Sequence, residues 1–223
     1  MAELGIYGIP SRLYRFRPAG SKTEREIKAL IERYIYCPPF EEMNDPMEGA
    51  HSPGLSYMIA GRFRTDSAQI RQHQKDAGIA SFTEVYDYET MWAHYADQFK
   101  GFCVAYKTQS LLRELDDSHR IARMNYNDTP PVLTDDNTTA WDKAILTLCS
   151  KSVRWLHERE WRLFSKKSGP VKYRSVDAVA RVYLGARIQD KDENLIRKSL
   201  AHTKINIVKM KLENYKISFT SGR

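Results

Sequence analysis

The chain has 223 residues, 42% of them hydrophobic and 28% charged, with 13 Tyr, 8 Phe and 4 Trp. This excludes a disordered or low-complexity chain and is enough apolar material for a sizeable core. The formal net charge of +7 permits nucleic acid, anionic lipid or a phosphate-bearing small molecule as partner, and identifies none of them.

Leu13-Tyr14-Arg15-Phe16 reads as a first strand. Ser21 followed by Glu24 reads as a capping box, and Ile27, Leu30, Ile31 and Tyr34 recur at helical spacing. A helix is therefore expected from about Lys22 to Tyr36, stopped by Pro38-Pro39. Asn44-Asp45-Pro46-Met47-Glu48 is a turn by composition. A second helix is expected over Tyr57 to Lys75, closed by Gly78, and then a strand over Ile79 to Thr83.

Thr90 is placed to cap a helix carrying Met91, Trp92, Tyr95 and Phe99, ended by Gly101. A buried strand follows over Phe102 to Tyr106, a short helix from Gln109 to Leu115, and a strand from Ile121 to Tyr126. A long helix is expected from Thr138 to Trp155, with Trp141, Ile145, Leu148 and Val153 inward. Trp161 to Phe164 reads as a strand and Lys166 to Pro170 as a turn. Val179 to Leu184 reads as a strand, Asp190 to Ala201 as a helix, and Ile205 to Leu212 and Tyr215 to Phe219 as closing strands. Without strict βαβ alternation, the expectation is one α+β domain over residues 1–223, its mixed or antiparallel central sheet flanked by helices.

Cys37, Cys103 and Cys149 are odd in number and far apart, with no C-x-x-C, so neither a zinc ribbon nor a disulfide framework is suggested. Reduced thiols fit a cytoplasmic protein. No apolar run approaches about 18 residues, so no membrane span is expected. Met1 to Gly5 lacks a charged-then-apolar targeting pattern.

The segment richest in chemistry is Trp155-Leu156-His157-Glu158-Arg159-Glu160-Trp161-Arg162-Leu163. From Lys151 to Arg174 there are eight Lys or Arg against Glu158 and Glu160, a local charge of +6. Carboxylates set among cations are either paired for structure or held ionised for chemistry. In an extended segment Glu158, Glu160 and Arg162 share one face, with Trp161 and Leu163 on the other. The bland alternative is an Arg–Glu ladder on a sheet face.

Further candidates are weaker. Ser81 and Thr83 alternate about Phe82, so their hydroxyls share a face. On a helix Met91, His94, Tyr95 and Gln98 form one stripe, and Trp92 offers a stacking ring, unless all are core. Arg15 points away from Tyr14 and Phe16 and suits a diphosphate, or is an exposed edge residue. Asp45, Glu48 and His51 match no standard metal-ligand spacing, so no metal is expected. No G-x-S-x-G exists. A nuclease reading meets Arg162 where a proton-exchanging Lys is wanted.

The ordered motifs at residues 13–16, 44–48, 81–84, 91–97, 100–106 and 158–163 are similar to a widespread bacterial family catalogued as a domain of unknown function, over about residues 12–185. Arg15, then Ser81-Phe82-Thr83, then Glu158-Arg159-Glu160 also resembles, in order, the arginine-type branch of the ADP-ribosyltransferase superfamily. That resemblance implies NAD as substrate, with Arg15 on the diphosphate and Ser81 and Thr83 near the nicotinamide ribose. Glu160 would stabilise an oxocarbenium-like transition state and Glu158 would assist the acceptor. Trp92 or Tyr95, with His94 beside them, would flank the ring. Thr83 stands where the superfamily has a second Ser, and Phe82 is bulky. The implied function is an NAD-dependent ADP-ribosyltransferase or NAD glycohydrolase, acting as a toxin or phage-defence effector. The alternatives are a nucleic-acid module using Lys151 to Arg174 with Trp155, Trp161 and Tyr173 interleaved, or a non-catalytic regulator. Oligomeric state is not readable from the chain.

Overall fold

The structure is a computed structural model that describes residues 8–136 and 138–221. The Met1 to Gly5 segment read for targeting signals lies outside the described residues. In chain order the elements are β1 (Arg12–Arg17), α1 (Thr23–Ile31), β2 (Tyr34–Cys37), β3 (Ser52–Pro53), α2 (Leu55–Ile59), α3 (Arg62–Asp76), β4 (Gly78–Thr83), α4 (Glu89–Tyr95), β5 (Phe102–Lys107) and α5 (Thr108–Glu114). They continue with β6 (Arg120–Arg123), β7 (Asn125–Tyr126), β8 (Val132–Leu133), α6 (Ala140–Leu148), β9 (Ser150–Lys151), β10 (Glu160–Ser165), β11 (Gly169–Lys172), β12 (Val179–Leu184), α7 (Asp190–Leu200), β13 (Asn206–Glu213) and β14 (Lys216–Ser221). The architecture is α+β, a mixed sheet flanked by helices. Among the described residues no helix is long and apolar enough to cross a membrane.

The chain divides into two compact units. The first gathers the chain up to Tyr34, Phe82–Leu115, and the chain from Lys172 onward. Its strands run β14-β13-β12-β5-β1, with the end of β4 beside β1 where Tyr14 faces Thr83. β12 and β13 are parallel, and α7 is the crossover between them, as a parallel pair requires. β1, β5 and β12 pair antiparallel. Asn214 and Tyr215, both at positive φ, form the two-residue turn that joins β13 to β14.

One face of this sheet carries Tyr14, Phe16, Cys103, Ala105 and Tyr183, buried with Met91 and Trp92 of α4. Asp97, Gln98 and Phe99 follow α4 at positive φ. This reversal lays Phe99 parallel to Trp92 at 6.4 Å between ring centroids. It requires small residues nearby: a Cβ on Gly101 would collide with the Arg17 carbonyl, and one on Gly185 with the Phe99 carbonyl.

The second unit comprises Ile35–Ser81 and Asp116–Val171. Here β10 lies between β4 and β6, and β10 pairs β6 antiparallel with Trp161 opposite Arg123. Two small parallel pairs join distant loops: β3 with β8, and β7 with β9. α3 packs on α6, where the Gln74 amide donates to the Thr147 hydroxyl at 2.7 Å. Ala77, Ile79, Trp141, Leu148 and Phe164 form one apolar cluster, and Tyr57, Ile70, Leu133 and Ala144 another.

Several boundaries differ from the sequence reading. The first helix stops at Ile31. Arg33 takes φ 58°, and Tyr34–Cys37 is a strand, so Tyr34 is not a helical position. Ser21 lies in a 3-10 turn and caps nothing; Thr23 begins the α-helix and gives its hydroxyl to Asp192 instead, at 2.7 Å. The expected helix over Tyr57 to Lys75 is two helices broken at Gly61, φ 70°. The residue before α4 is Tyr88, and Thr90 lies inside that helix. The helix expected to reach Trp155 ends at Leu148, capped at its start by Thr139. Beyond it Ser150–Lys151 pairs with Asn125–Tyr126, and a 3-10 turn spans Val153–Glu158.

Candidate functional site

Five charged side chains meet in the second unit: Glu48, Lys151, Glu158, Glu160 and Arg162, each no more than 6% exposed. The local folding of each follows from its neighbours. The turn before Glu48 is closed by Asp45, whose carboxylate accepts the Met47 amide at 3.0 Å and whose carbonyl accepts the Glu48 amide at 3.2 Å. Lys151 is carried by the two-residue strand β9. Glu158 ends the 3-10 turn and Glu160 opens β10. Between them Arg159 takes a left-handed conformation, φ 44°. Glu158 therefore reaches the cluster through a reversed backbone, not through the strand alternation expected for Glu158, Glu160 and Arg162.

Arg162 organises the cluster. Its Nε donates to Glu160 Oε1 at 2.7 Å and Nη2 to Glu160 Oε2 at 3.1 Å. Nη1 and Nη2 donate to the two oxygens of Glu48 at 2.6 and 2.9 Å, and Nη1 also reaches the Leu148 carbonyl at 2.8 Å. All five guanidinium N–H groups are thus used, the condition under which a buried Arg is tolerable. Lys151 Nζ lies 2.7 Å from Glu158, 3.4 Å from Glu160 and 3.6 Å from Glu48, and 4.4 Å over the Trp155 ring. Three carboxylates against two cations leave a formal charge of −1.

Burial pushes the Glu160 carboxyl upward, but Arg162, Lys151 and a hydrogen bond from the Ser81 hydroxyl outweigh it and hold the group below the usual carboxylate range. Burial likewise works against the Lys151 ammonium, and the carboxylates of Glu160, Glu158 and Glu48 outweigh it and raise its pKa. The Glu160 amide donates to the Tyr126 hydroxyl at 2.8 Å. Burial, the largest influence on that phenol, raises its pKa.

Beside the cluster is a cavity of about 470 Å³ lined by residues 45–50, 127–131 and 150–152. Glu48 and Lys151 belong to both. The cavity wall also carries Asp45, Asn127, Thr129 and Ser152, so it offers polar groups beside fixed charges.

The other expected residues fall as follows. Ser81 is exposed and joins the cluster through Glu160. In the first unit Thr83 is buried, and its hydroxyl accepts the Val85 amide at 3.2 Å. Because Tyr14 is opposite Thr83, Arg15 projects to the other face of β1, with its guanidinium 5.9 Å over the Phe82 ring. The structure therefore does not bring Arg15 and Thr83 together. Trp92 is fully buried, edge-on to Phe16 at 5.1 Å, with its indole N–H on the Tyr86 carbonyl at 2.7 Å; it offers no face to a ligand. His94 is exposed and Tyr95 half-buried, their rings 6.3 Å apart.

In the basic strip, Trp161 and Tyr173 are core residues and Trp155 packs on Lys151. Lys151 and Arg162 are spent in the ion cluster, leaving six exposed cations. Among the described residues no three His, Cys, Asp or Glu converge as metal ligands. The His51 ring is within hydrogen-bonding distance of the Gly49 carbonyl at 2.9 Å, while Glu48 commits both oxygens to Arg162.

Sequence reasoning missed Glu48 and Lys151 as members of the cluster. The available signal was the pairing of a buried-type turn glutamate with an excess of nearby cations, and it carries no distance information.

Residues 91–163 match the family described as "Protein of unknown function (DUF2971)". This supports the likeness to a domain-of-unknown-function family. The matched segment holds Lys151, Glu158, Glu160 and Arg162, and leaves out Arg15, Glu48 and Ser81. No curated protein and no solved structure matches the chain.

Proposed function

We propose that Glu160, with Glu158 and Ser81, is the reaction centre of an ADP-ribosyltransferase-like or NAD glycohydrolase-like enzyme with NAD as substrate. The observation that carries this reading is the Ser81 hydroxyl on a Glu160 carboxylate that stays charged although buried. Cleavage of the nicotinamide–ribose bond develops positive charge on the ribose. A preorganised carboxylate lowers that barrier most where water is excluded. The cavity of about 470 Å³ beside the cluster, which Glu48 and Lys151 line, is large enough for a ribose-sized group. In this reading Glu158 would assist the acceptor, and the protein would act as a toxin or defence effector in the cytoplasm.

The test is nicotinamide release from NAD by the purified protein beside Glu160→Gln and Ser81→Ala. Bacterial lysate or nucleic acid is supplied as acceptor, and folding is checked by circular dichroism. Turnover lost in the first variant and reduced in the second, both folded, would support the reading. No turnover under any acceptor condition would refute it.

A second reading is favoured by a specific observation. The complete use of the Arg162 donors makes the cluster a closed network that could serve only to build the fold of a non-catalytic regulator. Under that reading the same variants lose stability and no activity is found to lose.

A further inference from the structure

The sheet of the first unit holds a second concentration of charge, of opposite sign to the Glu48–Arg162 cluster and unused by the proposed reaction. In the register of β1, β5 and β12, Arg12 stands opposite Lys107, Tyr14 opposite Ala105, and Arg181 opposite Ala105 on the other side. Residues directly opposed in antiparallel strands project to the same face, and alternation repeats that face every second residue. Arg12, Lys107 and Arg181 are therefore on one face at one end of three adjacent strands, the face that carries Tyr14 and Tyr183. Between Tyr14 and Arg181 the middle strand contributes Ala105, which is fully buried, while Arg12 and Lys107 are exposed and Arg181 is half-buried.

The tyrosines aim the cations. Tyr14, Tyr86 and Tyr183 cluster, with ring centroids 5.1, 4.8 and 6.1 Å apart. Arg12 lies two residues from Tyr14 on the same strand face and interacts electrostatically with it, and the Arg181 guanidinium lies 5.7 Å from the Tyr183 ring centroid. Both phenols are less than 10% exposed, so they are fixed points against which the two forks are held. Burial, then the neighbouring Tyr183, pushes the Tyr14 phenol up to about 12, so it stays a neutral donor and acceptor.

Like charges placed directly opposite on adjacent strands repel. Arg12 and Lys107 stand in that relation, and among the described residues no carboxylate forms an ion pair with either of them or with Arg181. By contrast the cations on the opposite face of β1 are answered: Arg17 is paired with Glu26 through Nε at 2.6 Å. Two planar forks and an ammonium, unneutralised and oriented by phenols, match an anion with several oxygens.

We propose that Arg12, Lys107 and Arg181, oriented by Tyr14 and Tyr183, form a binding site for the phosphoryl groups of a small phosphorylated ligand. The site is independent of the Glu160 reading and lies wholly within the first unit.

The test uses inorganic pyrophosphate as probe, titrated calorimetrically into the whole protein at low ionic strength, beside Arg12→Gln, Lys107→Gln, Arg181→Gln and Arg181→Lys. Wild type is expected to bind one pyrophosphate per chain. Loss of one charge-assisted donor weakens binding by about tenfold or more, and Arg181→Lys, which keeps charge and loses the fork, falls between. Glu160→Gln is expected to bind as wild type does, which separates this site from the proposed reaction centre. The substituted positions are exposed or half-buried, so the variants are expected to melt within a few degrees of wild type. Absence of pyrophosphate binding by wild type would overturn the proposal. So would equal binding by all four variants. Binding of single-stranded DNA without pyrophosphate binding would also overturn it, and would make this face a nucleic-acid surface.

Discussion

Replacing Arg162 by Met tests the physics of the buried cluster directly. The side chain is 1% exposed and donates to both oxygens of Glu48 and both of Glu160. Met fills a similar volume but supplies no charge. Three carboxylates then face Lys151 alone, and the formal charge goes from −1 to −2. Removing one partner from a buried ion network costs about 3–5 kcal/mol, because the remaining charges are left without compensation. For a chain of this size that corresponds to a fall in Tm of roughly 6–20 °C. Urea unfolding followed by tryptophan fluorescence suits the measurement, since Trp141, Trp155 and Trp161 all belong to the second unit. The double variant R162M/E160Q should recover at least about 1 kcal/mol, since it removes one stranded charge. The gap between wild type and R162M should also narrow below the usual carboxylate range, where protonation relieves the stranded groups. A loss of less than about 1 kcal/mol, or a gap that does not narrow in acid, would refute the account of a tightly coupled network.

The pH dependence of the wild type follows from Glu160. Its folded pKa is depressed below the ordinary 4.5, so its stabilisation is present above about 4.5 and lost as pH falls through the folded value. Acid unfolding of Glu160→Gln should show a shallower slope in that range, and an identical slope would count against the assignment. Gly185→Ala should cost about 1–3 kcal/mol by thermal melting, since its Cβ would meet the Phe99 carbonyl; a silent substitution would mean the Phe99 turn can shift. Replacing Glu48, Glu160 and Arg162 together by Met leaves only the Lys151–Glu158 pair, 2.7 Å apart and electrically balanced. This triple variant should be more stable than R162M alone and devoid of any NAD turnover; lower stability than R162M would show that the network contributes more than its charges.

The elements readable in the sequence were those whose periodicity had no rival. β5 is a short apolar run bounded by Gly101 and the helix from Thr108, and α7 shows clean amphipathic spacing. The failures came where one pattern serves two structures. Leu30, Ile31 and Tyr34 fit a helix, yet Tyr34-Ile35-Tyr36-Cys37 is also an aromatic and β-branched run, and pairing decided for the strand. The apolar spacing from Trp141 to Val153 likewise says nothing of the β9 pairing with β7 that stops the helix at Leu148.

The site divides along the same line. Glu158, Glu160 and Arg162 could be picked out because a charge pair inside a strand-like apolar segment is locally odd. Their partner Glu48 is 114 residues from Arg162, and no local pattern encodes that distance. Even the legible pair was read through the wrong geometry, since the left-handed Arg159 replaces strand alternation between the two carboxylates. The same logic explains the opposite face of the problem in the first unit. Arg12, Lys107 and Arg181 are unremarkable singly, being three of 35 basic residues. Only the register of three strands makes them neighbours, and only the absence of an ion-pair partner among the described residues makes them a site to test. Charge in this chain acquires meaning through pairing: balanced and buried it fixes a local structure, and unbalanced at a sheet end it calls for a ligand.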